Sequence, residues 1–406
     1  MTDPVTVTDI RRARERFDPE IVRETPVERS RSLSAMSGAG VRLKMEHLQR
    51  TGSFKTRGAS TKVAAVAAAG DADRVVAASA GNHAQGVALA AANADIPATV
   101  VMPADAPQAK VDATRGYGAE VILHGRTFQQ AVARARDIAD HPAAVFVHAY
   151  DDPAIVAGQG TLGLEVAEQV PDLDTVIVPV GGGGLIAGVA TALAAVAPEV
   201  RVVGVQAADA ATVPDSLAKG APVDREETRT IADGIATGGV ADLTFDAIER
   251  HVDEVVTVSD DEIAHAILTL LGRAKQLVEG AGAASVAALC SGDLDVSGET
   301  VVPLLCGGNI DMSMLDTVLE HAMTDRDQLL RLRVRIEDEP GELSTLSTVL
   351  ADRGANVRHV RHDRAVEDLR VGEAYLVFEV AAAGREHATR LMEAIRERDY
   401  EVARVN

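Results

Sequence analysis

The stretch that most constrains the fold runs from Thr175 to Pro198, TVIVPVGGGGLIAGVATALAAVAP, without a single charged side chain. Such a run is long enough to suggest a membrane span. Pro179 and the glycines Gly181 to Gly184 argue against a continuous helix, because glycine costs a helix interior about 1 kcal/mol per residue and proline about 3. The run is better read as a buried strand, a glycine loop and a buried helix, which predicts a soluble protein rather than a membrane-bound one.

The same alternation extends in both directions. Helical periodicity over 60–69 precedes a short strand at 74–78, then a turn and an alanine-rich helix at 83–94. A strand at 98–103, a helix from about 107, a strand at 119–124 and a helix at 127–140 follow. In the second half TVIVPV, RVVGVQ and TVVPLL read as buried strands. Strands separated by helices of about ten to fifteen residues imply an α/β fold of parallel sheets with both faces covered. Ligands of such sheets bind beyond the carboxyl ends of the strands. From residue 331 the pattern changes. LRVRIED, a helix through LSTLSTVLADRG, VRHVRHD, EAYLVFEV, a helix near 386–398 and a last strand give βαββαβ, the ferredoxin-like arrangement.

Composition excludes several functions. The formal net charge is −21 and aromatics are 2% of the 406 residues, with no Trp. A nucleic acid or an anionic membrane would be repelled, and little is available to stack on bases. With 47% hydrophobic and 25% charged residues, the chain can bury roughly two or three domain-sized cores. Residues 331–406 are close to charge balance, so the acid excess belongs to the larger part. Acidity with arginine in excess of lysine suits a protein kept soluble in a salt-adapted, halophilic cytoplasm, where screening removes self-repulsion. Cys290 and Cys306 are too few for a disulfide framework or a cysteine-rich zinc site. The first residues, MTDPVTVTDIRRARERFD, lack the apolar core of a signal peptide, so a cytoplasmic location is expected.

One segment points to chemistry. KMEHLQRTGSFKTRGA, residues 44–59, holds Lys44 and Lys55, two of only six lysines in the chain. A lysine becomes a nucleophile toward carbonyls when burial or fixed dipoles lower its pKa. Thr51, Gly52 and Ser53 read as a turn feeding a helix whose first N–H groups would oppose a positive charge on Lys55, and Phe54 can wall one side. The plain alternative makes Lys55 and Arg57 solvated charges at a helix start. Lysine's scarcity weakens it, since arginine cannot form an imine.

Three further loops follow strands. In SAGNHAQG, 79–86, Gly81 frees the backbone so that N–H groups can converge on a carboxylate at a helix start. His83 reads there as a capping or core histidine before a catalytic one. In VPVGGGGLIAG, 178–188, backbone amides can approach a phosphate, although tight strand–helix packing would produce the same glycines. The P-loop lysine is absent, which counts against nucleotide hydrolysis. In LLCGGN, 304–309, a thiol ends a buried strand. A lone buried Cys is usually inert filler, but its place before Gly307 and Gly308 makes Cys306 the more interesting of the two.

A Schiff-base lysine, a carboxylate loop, a phosphate loop and a thiol beside a heterocycle describe a pyridoxal phosphate site acting on an amino acid. TGSFKTRGA, SAGNHAQG, VGGGGL and CGGN, in this order and spacing, resemble the threonine ammonia-lyase family of fold-type II pyridoxal phosphate enzymes over about residues 5–325. The tail, with EPGEL at 339–343 and GANV at 354–357, resembles an ACT domain, an amino-acid-sensing module. The resemblance implies a catalytic domain over 1–325 of two open parallel-sheet subdomains, tryptophan synthase β-like, the smaller spanning about 50–150 and inserted in the larger. A ferredoxin-like ACT regulatory domain would occupy 331–406.

By that resemblance Lys55 carries the cofactor and, once freed by the substrate, removes its Cα proton. Phe54 packs on the cofactor ring, Asn82 bonds its hydroxyl, Gly181, Gly182, Gly183, Gly184 and Leu185 hold its phosphate, and Cys306 faces its pyridine nitrogen. Ser79, Ala80, Gly81, Asn82 and His83 take the substrate carboxylate. The implied reaction is β-elimination and deamination of L-threonine, and of L-serine, to a 2-oxo acid and ammonia. Isoleucine or valine is the expected effector, with Pro340, Gly341 and Asn356 in its site, and a homo-oligomer, dimer or tetramer, is expected. Two departures count against the related serine racemases. Their second proton donor corresponds to Ala80, and their divalent-cation site has a carboxylate where this chain has Gln206, followed by Ala210 and Thr212. No metal is therefore expected there, while a cation near Glu279 stays open. Gly280 stands where many relatives carry proline, which leaves the placement of Glu279 open as well. A non-catalytic ACT sensor on a degenerate enzyme is the alternative of a different class, disfavoured by the retained lysine, asparagine, glycines and thiol.

Overall fold

The structure, a computed structural model, describes residues 4–70, 72–225 and 227–405; the first three residues of the N-terminal segment read above lie outside them. The chain divides into two compact units, Met1–Asp311 and Met312–Asn406.

The first unit is built on two sheets. The larger runs Val27–Arg29, Gly40–Lys44, Thr300–Pro303, Thr175–Pro179, Arg201–Ala207, Glu254–Val258 in spatial order. Its first pairing is antiparallel and the other four are parallel. The smaller runs Glu120–Leu123, Ala98–Met102, Arg74–Ala78, Ala144–Phe146, all parallel. The uncharged run becomes a strand, Thr175–Pro179, buried at every residue, and the helix Gly184–Val196. Among the described residues no helix is long and apolar enough to cross a membrane.

With almost no aromatics, the core is assembled from small side chains. Ala84, Val87 and Ala88 of the helix Asn82–Asn93 pack on Val75, Ala77, Val100 and Met102 of the smaller sheet. Each fully buried Val or Met contributes about 1.5–3 kcal/mol by leaving water. Small residues also let backbones touch. A Cβ on Gly158 would stand 2.6 Å from the Cα of Gly58, so the helix Pro153–Gln169 lies directly against Lys55–Ala69.

Helix starts fall into two kinds. Asp152 caps Pro153–Gln169 by accepting from Ala154 N at 2.8 Å, with Pro153 in the first turn, and Thr127 and Ser259 form capping boxes. Other helices have no side-chain cap, among them Lys55–Ala69, Asn82–Asn93, Gly184–Val196 and Gly280–Ser291. Their first N–H groups remain for another acceptor, and all four begin around one cavity.

The second unit holds the helix Met312–Asp325 and then strand Leu329–Glu337, helix Glu342–Asp352, strands Asn356–Asp363 and Glu373–Ala381, helix Arg385–Arg396 and strand Val402–Arg404. The strands form an antiparallel sheet in the order second, third, first, fourth. This is the expected ferredoxin-like arrangement. Alternate residues Leu330, Leu332, Val334 and Ile336 face a core shared with Leu346, Leu350, Leu391 and Ile395.

Candidate active site

A cavity of about 1180 Å³ in the first unit is lined by segments that follow the strands Arg74–Ala78, Ala144–Phe146, Thr175–Pro179 and Thr300–Pro303. It brings together Phe54, Lys55, Ser79, Ala80, Gly81, Asn82, His83, Gly181, Gly182, Gly183, Gly184, Leu185 and Cys306. Pro340, Gly341 and Asn356 belong to the other unit. The first two form the turn before Glu342–Asp352, where Gly341 has φ +110°, and Asn356 opens an edge strand opposite Ala381; all three are exposed.

Lys55 is the first residue of its helix, and the turn before it is sewn to the CGGN loop. Phe54 N donates to Cys306 O at 3.1 Å, Gly308 N donates to Gly52 O at 2.9 Å, and Ser53 bridges Gly307. Nζ donates to Ala149 O at 3.2 Å and sits 5.0 Å from the centre of the Phe54 ring. Burial lowers the amine from 10.5 to about 8, against the opposing pull of Cys306 and Glu279. Two residues on, Arg57 is fully buried rather than solvated. It forks onto Glu46 at 2.7 and 2.9 Å and onto Glu165 at 2.6 and 2.8 Å, and Lys44 Nζ donates to Glu165 at 2.8 Å. Two cations and two carboxylates thus neutralise one another beneath the turn that presents Lys55. Burial would raise the Glu46 carboxyl, but Arg57 and Lys44 hold it below the ordinary value.

The thiol and the imidazole beside Lys55 are neutral. The Cys306 thiol, 3% exposed, donates to Ala281 O at 3.4 Å. Burial first and the Glu279 carboxylate second push its pKa up, so it stays protonated. His83 shares a 2.9 Å bond with Val147 O through Nε2, and burial together with Lys55 lowers it to about 3. A neutral ring facing a carbonyl must carry its proton on Nε2. Ser79 Oγ accepts from Gly81 N at 3.1 Å.

The glycine loop serves packing and opens a helix that no side chain caps. A Cβ on Gly182 would overlap the Tyr150 ring, one on Gly181 would stand 2.9 Å from Ile235 Cα, and Gly183 has φ +85°. Thr244 Oγ1 donates to Gly182 O at 2.8 Å, pinning the loop from outside. Gln206 acts nearby as a bridge: its amide oxygen accepts from Thr212 N at 3.0 Å and Val213 N at 2.8 Å, and Nε2 donates to Val180 O at 3.4 Å. A carboxylate there could not make the last bond.

Several site residues escaped the sequence reading. Glu279, read only as a possible cation neighbour, lines the cavity and accepts from Asn82 Nδ2 at 2.6 Å, while burial raises its carboxyl pKa. Asn309 donates to Asn82 Oδ1 at 2.8 Å and to Thr51 O at 2.7 Å. Glu165 did leave a signal, being the only charge between Pro153 and Ala167 in an otherwise apolar helix.

Residues 19–307 match the family of pyridoxal-phosphate dependent enzymes, and residues 330–397 match the ACT domain. The chain belongs to that pyridoxal-phosphate dependent family and carries a C-terminal ACT domain. More particularly, it is 44% identical over 398 residues to the L-threonine ammonia-lyase of Thermotoga maritima, covering 98% of this chain and 99% of that one. Among solved structures it is similar to the processed form of threonine deaminase isoform 2 from Solanum lycopersicum, with TM-score 0.74, 35% identity, and 79% and 96% of the two chains covered. It is equally similar to maize serine racemase, with TM-score 0.74, 34% identity, and 80% and 100% covered.

The residues fit the cofactor this family uses. A lowered lysine amine, uncapped amides of Gly184 and Leu185 beside a glycine cradle that a Cβ at Gly182 would fill, and a protonated thiol lie around one cavity. These are the donors needed for an aldehyde, a phosphate and a pyridine nitrogen.

Proposed function

We propose that this chain is a threonine ammonia-lyase, converting L-threonine to 2-oxobutanoate and ammonia, and L-serine to pyruvate and ammonia. The observation that carries the reading is Lys55, an amine lowered to about 8 by burial, in one cavity with a neutral thiol, a glycine loop and an uncapped helix start. The family supports it, as does the near full-length similarity to an L-threonine ammonia-lyase.

Bound pyridoxal phosphate would supply the electron sink that makes the substrate Cα proton acidic. Lys55 would hold that group through Nζ, Gly181 to Leu185 its phosphate, Phe54 one side of its ring, Asn82 its ring hydroxyl and Cys306 its ring nitrogen. Because the thiol keeps its proton, it leaves the ring nitrogen uncharged and the sink weak, which favours rapid loss of the β-hydroxyl over slow reprotonation. The backbone amides from Ser79 to His83 orient the substrate carboxylate, with His83 kept neutral by burial and by Lys55 and its ring held in place by Val147 O. Lys55, free at Nζ when substrate is seated, takes the Cα proton as general base. Ala80, on the cavity wall, has no proton to return, so the residue that separates this chain from a racemase favours elimination.

The ACT unit provides for regulation. Isoleucine or valine bound at Pro340, Gly341 and Asn356 would alter turnover, in an enzyme working as a cytoplasmic dimer or tetramer and tolerant of high salt. The decisive assay follows both products from L-threonine: 2-oxobutanoate and ammonia are expected in equal amounts, with no appreciable D-configured amino acid. Accumulation of D-amino acid at a comparable rate would reverse the assignment in favour of racemisation.

A further inference from the structure

One chain of hydrogen bonds joins the loops around the cavity, and it has a direction. Thr51 O can only accept, so the Asn309 atom 2.7 Å from it is the amide nitrogen. The same nitrogen lies 2.8 Å from the Asn82 side chain and spends its second hydrogen there, which makes the facing atom of Asn82 its oxygen. The Asn82 nitrogen must then face the other way, where Glu279 Oε1 accepts from it at 2.6 Å. An amide nitrogen carries two hydrogens. Glu279 uses one, and the other is left at a residue that lines the cavity.

Two glycines keep the corridor open. At Gly52, which has φ +74°, a Cβ would stand 2.5 Å from Asn309 Oδ1, and at Gly307 it would overlap Glu279 Oε1. Glu279 is itself anchored, its N donating to Gly307 O at 3.1 Å.

We propose that Asn309 and Glu279 are positioning residues that lock the Asn82 amide with an N–H, not its carbonyl, presented to the ring oxygen of pyridoxal phosphate. The inference rests on the cofactor reading above. Without Asn309 as donor or Glu279 as acceptor the Asn82 amide keeps only one of the two bonds that fix its direction, and whenever it turns over an oxygen meets an oxygen. A buried acceptor left without its donor loses the desolvation energy of one hydrogen bond, which is about tenfold or more in affinity.

The test titrates cofactor-free protein with pyridoxal phosphate and follows the visible absorption of the lysine-bound form, with thermal unfolding of the same samples as a fold control. Asn309→Asp, isosteric but unable to donate, is expected to bind the cofactor about tenfold or more weakly with its absorption band displaced. Glu279→Gln keeps an acceptor oxygen and is expected to bind several-fold more tightly than Glu279→Met, which has none. If Asn309→Asp fails to fold, the Gln and Met pair decides. Equal affinities for Glu279→Gln and Glu279→Met, or a wild-type affinity in folded Asn309→Asp, overturn the proposal while leaving the lyase reading standing. A native chain that binds no pyridoxal phosphate overturns both.

Discussion

Burial is what makes Lys55 reactive, and burial has a thermodynamic cost that can be measured. The folded amine titrates near 8 and the unfolded one near 10.5. In the window between them the unfolded chain binds more protons, so stability rises with pH. Below about 8 both forms are charged and the full cost of burying an ammonium is present. Lys55→Met should therefore stabilise the cofactor-free protein in denaturant at pH 7, and the gain should shrink toward pH 10. The same variant should abolish turnover and the visible absorption of the lysine-bound cofactor. A gain that is flat across this range would mean that the amine is solvated after all. At this scale the sequence was informative. The lysine, the asparagine, the glycines and the thiol were legible because each stands in a short motif whose residue types suit one chemistry. Asn309 stands in such a motif too, but its role depends on Thr51 and Asn82, which no local pattern brings near it.

At the scale of elements, the turn before Lys55 rests on charge as much as on apolar packing. Arg57 ties the helix Lys55–Ala69 to Glu46 beyond the strand Gly40–Lys44 and to Glu165 on Pro153–Gln169. Arg57→Met would leave two carboxylates buried with only Lys44 to compensate, and should cost about 3–5 kcal/mol in chemical denaturation. Replacing Arg57, Glu46, Glu165 and Lys44 together by apolar residues of similar volume should cost less than Arg57→Met alone, since no buried charge then remains to be desolvated. A quadruple variant weaker than the single one would contradict this account. Exposure is the usual state of arginine, so nothing local in the sequence marks Arg57 as buried; the convergence of the segments carrying Glu46 and Glu165 on it does that. The helix expected at 127–140 is present as Phe128–Ala139, its start written locally in the Thr127 capping box. The strands Val27–Arg29 and Ala144–Phe146 have three residues each, too few to show a period, and are defined by their neighbours in the sheets.

For the whole molecule, the expectation that matters is regulatory. Adding isoleucine or valine to the full chain should change the rate of 2-oxobutanoate formation, and Asn356→Ala should weaken the response while leaving the rate without effector unchanged. Asn356 is exposed at the start of an edge strand, so the substitution removes a polar contact without opening the core. Indifference of the full chain to every branched-chain amino acid would remove the proposed effector. The βαββαβ order was legible here because the strands are long and alternate in polarity, as in LLRLRVRIE.

The pairing of the turn at Thr51 with the loop at Asn309 also bears on how the enzyme matures. These segments are 258 residues apart in the chain, and closing so long a loop comes late and slowly in folding. A ribosome-bound chain that has exposed the lysine but not yet the CGGN loop has no finished pocket around its amine. Cofactor loading would then coincide with completion of the catalytic unit, and a chain broken off before residue 309 would leave the ribosome unable to become a holoenzyme.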